Sequence, residues 1–510
     1  MKIAIHKVQM RSMLSVASAA ACLLAIAASA QTPAAPPAKP AAAPAQVQPW
    51  KKIPIPPLHE FKPQQPRRIE LANGLVIYLQ EDHELPFIDG NILIRGGARD
   101  QPADKIGLVS MYGEAWRTSG STTTSGDQLD TELAEKAASI ETSGGTATTS
   151  LSWGSFKQDF DTVFAQAIDL LEHPAFKADK LALARRGMDT AIARRNDDPG
   201  SIASREVAQI VYGPNNPYGR IPQYSTVAAV TLADLQAWHD RTVAPNNIIV
   251  SVEGDFNSAE MEARLRKVFE PLKRGAAIQP LQLDYPGPKP GVYFADKTDI
   301  NQSTVEIAGL GTERSNPDFY ALSVMNEIFS GGFGSRVFQA VRTRLGLAYS
   351  VGGSYGAAYD HPGMFLSSAG TKSASTVATA QAILDEIGRL KTVPPTPDEL
   401  RKAKDQVMNS FIFNYDTPEK VLNEQVLLAF YGYPSDYLEK YKDAVERVTD
   451  ADVTRVANKY IDVSKLAIIV VGNQPEIEPP LSKLGPVTTL DIAIPGSPDG
   501  AAHPSGPPSQ

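Results

Sequence analysis

Cysteine is almost absent from this chain of 510 residues: Cys22 is the only one, and it lies in an apolar segment near the N-terminus. A single cysteine forms no internal disulfide, and a zinc site built from several thiolates is excluded. Histidine is scarce as well, with seven residues, and no H-x-x-E-H or H-E-x-x-H sequence occurs. The two helical zinc motifs of that type are therefore missing.

An excess of positive charge is also missing. The chain has 49 Lys and Arg against 57 Asp and Glu, for a net charge of -8, and no basic cluster follows a groove-like pattern. We therefore expect no nucleic-acid partner. Beyond the first residues, no apolar run is long enough to cross a membrane. A hydrophobic fraction of 42% is ordinary for a globular protein, and the length suffices for two sizeable domains.

The N-terminus has the order of a secretory signal. Three basic residues come first, an apolar stretch covers residues 14–27, and the small residues Ala28-Ser29-Ala30 precede Gln31. We therefore predict a signal peptide over 1–30 and an exported protein, in the periplasm of a Gram-negative bacterium. Two alternatives stay open: retention of the segment as an anchor, and lipid attachment at Cys22.

Composition divides the rest of the chain. Residues 31–60 are rich in Pro and Ala and predict a linker, and residues 479–510 are rich in Pro, Gly and Ser and predict a disordered tail. A second linker, acting as a hinge, is predicted over 275–290. The folded domains are then 61–274 and 291–478.

The two predicted domains repeat each other. NDDPGSIASREVAQIVYG in the first resembles NYDTPEKVLNEQVLLAFYG in the second; Pro199 and Pro418 lie 219 positions apart, and Gly254 and Gly472 lie 218 apart. Each half contains the same series of strands and helices, in segregated groups. This arrangement predicts an α+β fold made of two tandem homologous halves.

Residues 107–121 read GLVSMYGEAWRTSGS. This segment resembles the zinc-binding helix of the insulinase/pitrilysin metallopeptidases, which reads roughly G-x-A-H-x-x-E-H. Ser110 then takes the place of the first His, Gly113 that of the catalytic Glu, and Glu114 that of the second His. The resemblance covers residues 62–475 and implies two α/β-roll halves, each an antiparallel-rich sheet backed by helices, that form a clam shell.

A zinc site is not expected in this chain. Positions 110, 113 and 114 share a helix face, but serine is a poor ligand and glycine has no side chain. The family's further ligand is a Glu before a D-D-P turn, and residues 185–199 (RRGMDTAIARRNDDP) contain none. A register shifted by one pairs Glu114 with the family's Glu, but its neighbours are then Met111 and Ala115. We predict no cofactor in this chain, with zinc in a partner subunit.

A second family motif is retained. SRVFQAVRTRLGLAYSVGGSY, residues 335–355, is similar to the family's S-R-L-F-x-x-[LV]-R-x-x-x-G-L-A-Y-S-V. The resemblance implies that Arg342 and Tyr349 contact substrate or transition state beside the zinc. The pattern predicts a helix that begins at Ser335 as N-cap and buries Val337, Phe338, Val341 and Leu345. Gly346 would end the helix, and Tyr349 would lie on the following strand.

These features together predict a non-catalytic subunit of an exported heteromeric zinc metallopeptidase. The resemblance implies that the chain lines a peptide chamber and supplies Arg342 and Tyr349 to the active site of a zinc-bearing homologous subunit. The substrates would be unfolded peptides. Two alternatives remain: a peptide-binding or structural scaffold with no proteolytic role, and an enzyme with an unfamiliar metal site.

Overall fold

The computed structural model describes residues 63–496. The predicted signal peptide, the linker over 31–60 and the last residues of the tail lie outside this range. Two six-stranded sheets, one from each half of the chain, organise the described residues.

The strands of the first sheet come from residues 67–254. They are β1 (Arg67–Glu70), β2 (Val76–Glu81), β3 (Phe87–Arg95), β4 (Ser139–Gly144), β5 (Thr148–Phe156) and β6 (Ile248–Gly254). Their spatial order is β1-β2-β6-β3-β5-β4, and every pair is antiparallel except β2 with β6. Eight α-helices belong to this half: α1 (Leu108–Ser119), α2 (Gly126–Glu135), α3 (Phe160–Glu172), α4 (Ala178–Ala193), α5 (Pro199–Tyr212), α6 (Tyr224–Ala228), α7 (Leu232–Thr242) and α8 (Ser258–Phe269).

The second half contains two short strands besides its sheet. Its strands are β7 (Gly291–Asp296), β8 (Gln302–Leu310), β9 (Thr312–Glu313), β10 (Ala348–Tyr355), β11 (Ala357–Ala358), β12 (Met364–Lys372), β13 (Ala467–Gly472) and β14 (Val487–Thr489). A π-helix covers Phe338–Arg344, and the α-helices are α9 (Phe319–Ser330), α10 (Thr376–Thr392), α11 (Pro397–Ile412), α12 (Pro418–Tyr431), α13 (Tyr437–Arg447) and α14 (Asp450–Tyr460). The second sheet has the order β10-β12-β8-β13-β7-β14.

The two sheets show the duplication directly. The order β2-β6-β3-β5-β4 in the first sheet corresponds to β7-β13-β8-β12-β10 in the second. In the first sheet, β6 is parallel to β2 and antiparallel to β3. In the second, β13 is likewise parallel to β7 and antiparallel to β8. The repeated sequence anchors also coincide: Pro199 and Pro418 each lie in the first turn of a helix, and Thr231 and Thr449 each form a capping box. The predicted α+β fold with two homologous halves is confirmed.

Each half contributes one helix to the other half's sheet. Helix α5 packs on β8 and β13, and α12, its duplicate, packs on β2 and β6. Val207 of α5 and Ile469 of β13 belong to one buried apolar cluster, and Val426 of α12 and Ile249 of β6 belong to another. Both faces of β6 and β13 are therefore covered, which explains why these strands read as nearly continuous apolar runs, IIVSVEG and AIIVVG. The two halves belong to one compact unit.

A half-buried cluster of side chains also joins the two halves. Arg99 of the first half forms a salt bridge with Asp360 of the second and donates a hydrogen bond to the Tyr218 hydroxyl at 3.1 Å. The Tyr218 ring stacks on His361, with ring centroids 3.7 Å apart. Tyr218 belongs to the turn Asn216–Arg220, so this turn fixes the contact between the halves as well as reversing the chain.

The C-terminal segment differs from the expectation for a disordered tail. Strand β14 pairs with β7, Leu481 is buried, and Leu490 and Ile492 pack against an apolar cluster that includes Ile202 of α5. Apolar residues between the prolines and glycines supply this order, and the composition of 479–496 as a whole concealed them. Within residues 63–496, the helices all fall short of the length and apolar character that a membrane span requires.

Candidate functional site

Helix α1 carries the three positions of the degenerate zinc motif. It begins after Gly107, whose φ of 109° favours glycine, and it ends at Gly120. Ser110 and Glu114 lie one turn apart and are exposed, whereas Gly113 is buried. Met111 and Ala115 are fully buried in the core. The exposed face carries positions 110 and 114, which are the ligand positions of the unshifted alignment with the zinc motif. The alignment shifted by one residue would place its ligands at Met111 and Ala115, inside the core, and is excluded.

Gly113 is held against the backbone of β4. An ideal Cβ at this position would lie 2.5 Å from the nitrogen of Gly144 and 2.7 Å from the carbonyl carbon of Ser143. The hydroxyl of Thr142 also donates a hydrogen bond to the Gly113 carbonyl at 2.5 Å. A glutamate side chain does not fit between α1 and β4 unless one of them moves. The packing at this position is therefore incompatible with the catalytic Glu of the zinc motif.

Helix α4 lies beside α1. A helix that supplied a further zinc ligand to the motif on α1 would have to lie in this position. The position facing Glu114 is Gly187, where an ideal Cβ would lie 3.9 Å from the Glu114 Oε2. Helix α4 has no glutamate. The two elements are brought together, but the second one offers no carboxylate at the contact.

The histidine nearest to α1 is a core residue. His239 of α7 is buried; its Nδ1 accepts from the Tyr112 hydroxyl and its Nε2 donates to the Leu171 carbonyl, both at 2.9 Å. Burial lowers the pKa of His239 to about 4. With both ring nitrogens occupied by hydrogen bonds, it is unsuited to binding a metal.

The donor set at α1 does not fit zinc. A catalytic zinc takes about three protein ligands from His, Cys, Asp or Glu, and Glu114 alone qualifies on the exposed face. In the described part of the chain, residues of these four types nowhere gather in a group of three that could hold a metal ion.

The retained motif of the second half forms a π-helix. Leu345 N donates to the Ala340 carbonyl at 3.1 Å and Leu347 N to the Val341 carbonyl at 2.9 Å, so the last turn is wider than in an α-helix. Gly346 follows at a φ of 62°, as predicted. Short π-helical turns are frequent at functional sites because they redirect side chains.

The π-helical turn changes the predicted apolar face. Val337, Ala340 and Val341 are buried, but Leu345, which was predicted to be buried, is 57% exposed. The wider turn shifts the phase of the side chains and moves Leu345 outward. Ser335 is also not a side-chain cap, because its hydroxyl donates backward to the Gly332 carbonyl at 2.8 Å.

Arg342 and Tyr349 lie together. The Arg342 guanidinium carbon is 4.9 Å from the centroid of the Tyr349 ring and 5.0 Å from that of Phe338. Tyr349 is 82% exposed on the edge strand β10. Within residues 63–496, Arg342 forms neither an ion pair nor a hydrogen bond, so its N–H donors are available to an external acceptor.

Two exposed apolar residues lie near the pair in sequence. Phe333, 75% exposed, contacts Phe338 edge to face, and Leu345 follows the π-helix. We call Phe333, Phe338, Arg342, Leu345 and Tyr349 the aromatic patch. Phe333 was not among the site residues predicted from the motif. Its position in SGGFGS, as an aromatic residue between glycines, is the sequence signal that could have indicated its exposure.

The fold and these two regions define a class: a duplicated α+β protein with a peptidase-like helix and, within residues 63–496, no metal ligand set. A sequence profile described as the peptidase M16 inactive domain matches residues 229–407. The chain is 24% identical over 411 residues to a protein of Rickettsia felis named an uncharacterized zinc protease, covering 78% of this chain and 96% of that one. It is 21% identical over 420 residues to the non-peptidase homolog YmxG of Helicobacter pylori, covering 80% and 94%.

Solved structures share the fold. The peptidase M16 inactive domain from Pseudomonas fluorescens matches with a TM-score of 0.72 at 23% identity, covering 80% of this chain and 98% of that one. A protease from Helicobacter pylori matches with a TM-score of 0.69 at 20% identity, covering 81% and 100%. These matches confirm the resemblance to the M16 family of insulinase/pitrilysin peptidases, and the chain is similar to members of that family that lack the zinc ligands.

Proposed function

We propose that the protein is a non-catalytic subunit of an exported heteromeric zinc metallopeptidase. It pairs with a zinc-bearing homologous subunit, forms part of a peptide chamber and supplies Arg342 and Tyr349 to the partner's active site. The observation that carries the proposal is the contrast between the two motifs. Gly113 of helix α1 is packed against β4 and leaves no room for a side chain. Arg342, by contrast, is half-buried and contacts the exposed ring of Tyr349.

The state of α1 supports the non-catalytic part. Packing against β4 leaves no room for a base at position 113, and the exposed Ser110 and Glu114 provide one good ligand. A relative of nearly the same extent is named a non-peptidase homolog, which agrees with this interpretation. Others are named zinc proteases, and such proteins are the kind of partner that the proposal requires.

The aromatic patch supports action in trans. An aromatic ring that is 82% exposed leaves a large apolar area in water, and such rings are enriched at protein interfaces. A guanidinium and a phenol can both donate hydrogen bonds to a peptide carbonyl as it gains negative charge. Neither group assists hydrolysis without an activated water nearby, which the partner's zinc would supply.

The alternative is a scaffold or peptide-binding protein with no proteolytic role. The missing zinc ligands fit it equally well, since a scaffold needs none. Within residues 63–496, the N–H donors of Arg342 have no hydrogen-bond partner and Tyr349 is exposed. This favours the first proposal, because a purely structural role does not require free donors. Export to a periplasm rests on the sequence of residues 1–30, and mass spectrometry of the native protein tests it: a mature N-terminus near Gln31 supports export, and an intact Met1 opposes it.

Coexpression with an exported homologue that has an intact H-x-x-E-H motif tests the assembly. We expect the two chains to copurify and to cleave unfolded peptides, while each chain alone is inactive or nearly so. A partner that is fully active alone, and that does not bind this chain, would favour the scaffold alternative.

A further inference from the structure

A cavity of about 230 Å³ opens between three helices of the second half, α9, α11 and α13, at the end of strand β10. Ser323, Asn326 and Glu327 line it from α9, where their spacing places them on one face of the helix. Helix α11 contributes one face as well, α13 contributes Tyr441, and β10 contributes its last residue, Tyr355. The cavity therefore lies where one sheet edge meets a group of three helices.

Glu327 is the charged residue of this lining, and its charge is uncompensated. Within the described residues 63–496, its carboxylate forms neither an ion pair nor a hydrogen bond, and the lining contains no lysine, arginine or histidine. Burial raises the pKa of Glu327, and the charge of Glu327 in turn adds to the effect of burial in raising the pKa of Tyr441. A half-buried carboxylate without a counter-ion is costly, so a cation that entered the cavity would be stabilised by it.

Gly331 makes room for this carboxylate. An ideal Cβ at Gly331 would lie 2.0 Å from the Glu327 Oε2. The φ of Gly331 is -73°, which any residue adopts, so the absence of a side chain is required by space and not by backbone conformation. The glycine at the end of α9 thus keeps the unpaired carboxylate in place.

A second observation concerns Tyr355, which is 8% exposed. Its ring packs near Phe365 and Tyr460, with ring centroids 5.8 and 6.4 Å away, and its backbone N–H donates to the Asn326 Oδ1 at 2.7 Å. Its hydroxyl, however, has no hydrogen-bond partner in the described part of the chain. Buried phenols normally have one. A tyrosine that is held in place on the cavity wall, with its hydroxyl unpaired, indicates that a ligand in the cavity supplies the partner.

The character of the ligand follows from these groups. The carboxylate and the phenol oxygen both accept hydrogen bonds, and a primary ammonium group has three donors and no acceptor. Val407 and the stacked rings of Phe411 and Tyr441, 4.6 Å apart, add apolar and aromatic surface that suits the stem of an amine. The volume is below the about 300–1,000 Å³ of sites for drug-sized ligands, so the amine is small. A metal ion does not fit, because residues 63–496 contain no group of three ligands that could hold one.

We propose that this cavity binds a small free amine, as a primary ammonium group on a short apolar or aromatic stem. Glu327 is its counter-ion, and the hydroxyl of Tyr355 accepts a second hydrogen bond. The site is separate from the degenerate zinc motif of α1 and from the aromatic patch, whose residues do not line the cavity. It requires neither a partner subunit nor peptide cleavage.

The test compares benzylamine with its neutral isostere benzyl alcohol, in NMR titrations of the full chain at neutral pH. Benzylamine should bind about tenfold more tightly, because it alone carries a charge that pairs with the carboxylate. Glu327→Gln should abolish this preference, and Tyr355→Phe should weaken benzylamine binding about threefold. The matched control Glu446→Gln removes an exposed carboxylate of α13 outside the cavity and should keep the preference. Thermal unfolding establishes that the variants are folded.

Equal affinity for the two probes overturns the proposal, as does a preference that survives Glu327→Gln. Should Glu327→Gln fail to fold, unchanged benzylamine binding by Tyr355→Phe is the result that overturns it. Tighter binding of acetyl-lysine methylamide than of benzylamine would also overturn it, by assigning the cavity to a lysine side chain of a peptide. These outcomes leave the heteromeric peptidase untouched, because its test depends on the partner and on Arg342.

Discussion

Replacing Gly113 with alanine tests whether packing prevents this helix from carrying a catalytic residue. In an open helix, Gly to Ala stabilises by about 0.5–1 kcal/mol, since glycine loses more backbone entropy on folding. Here the added Cβ would meet the backbone of Gly144 and Ser143 at 2.5 and 2.7 Å, and forced overpacking costs about 1–3 kcal/mol. We expect Gly113→Ala to lower the free energy of unfolding by about 1–2 kcal/mol.

Gly388 is the matched control. It lies within α10, and an ideal Cβ there meets nothing within 4 Å. Gly388→Ala should therefore raise the free energy of unfolding by about 0.5–1 kcal/mol. Urea unfolding followed by circular dichroism measures both variants. If both substitutions stabilised the protein equally, the close contact of α1 with β4 would be refuted. Packing would then not explain why position 113 carries no catalytic base.

Three further predictions concern metal, pH and the contact between the halves. After exposure to zinc and dialysis, elemental analysis should find well under one zinc per chain; a tightly held zinc that Glu114→Gln removes would contradict this. Burial raises the pKa of Glu306 to about 7, so the folded state prefers the protonated acid, and stability should fall as pH rises from about 5 to 8. Glu306→Gln should remove about 2–3 kcal/mol of that decline, and unchanged urea midpoints across this pH range would oppose the assignment. Asp360→Asn breaks the pair with Arg99 and should lower the free energy of unfolding, measured in urea, by about 1–3 kcal/mol. The control Asp398→Asn lies in an exposed pair and should change the free energy of unfolding by at most about 0.5 kcal/mol. Equal effects would show that the contact between the halves contributes little to stability.

Much of the fold follows from the sequence because strand and helix patterns occur twice in the same order. The capping boxes at Thr231 and Thr449 and the apolar runs of β6 and β13 are local signals that survive in both halves. The exchange of α5 and α12 between the sheets was not predictable in this way. It depends on which sheet face remains open after the other helices have packed, and no local pattern records that.

The candidate site was predictable only in part. Residue identities show that Ser110 and Gly113 lack ligand atoms, but the close contact with Gly144 requires the position of β4, a strand whose polar sequence SIETSG gives a weak signal. The π-helical turn that exposes Leu345 also has no sequence signature here.

The central claim is that Arg342 and Tyr349 act on the active site of a zinc-bearing partner. The most direct measurement is the kcat/KM for peptide cleavage by the reconstituted pair at matched complex concentration. Removing one transition-state donor costs about 2.7–4 kcal/mol, so Arg342→Ala should lower the rate about 10²- to 10³-fold with the complex intact. Arg344→Ala removes an arginine of the same π-helix that pairs with Glu386, and should leave the rate within about twofold. Equal rates for the wild-type and Arg342→Ala complexes would contradict the account.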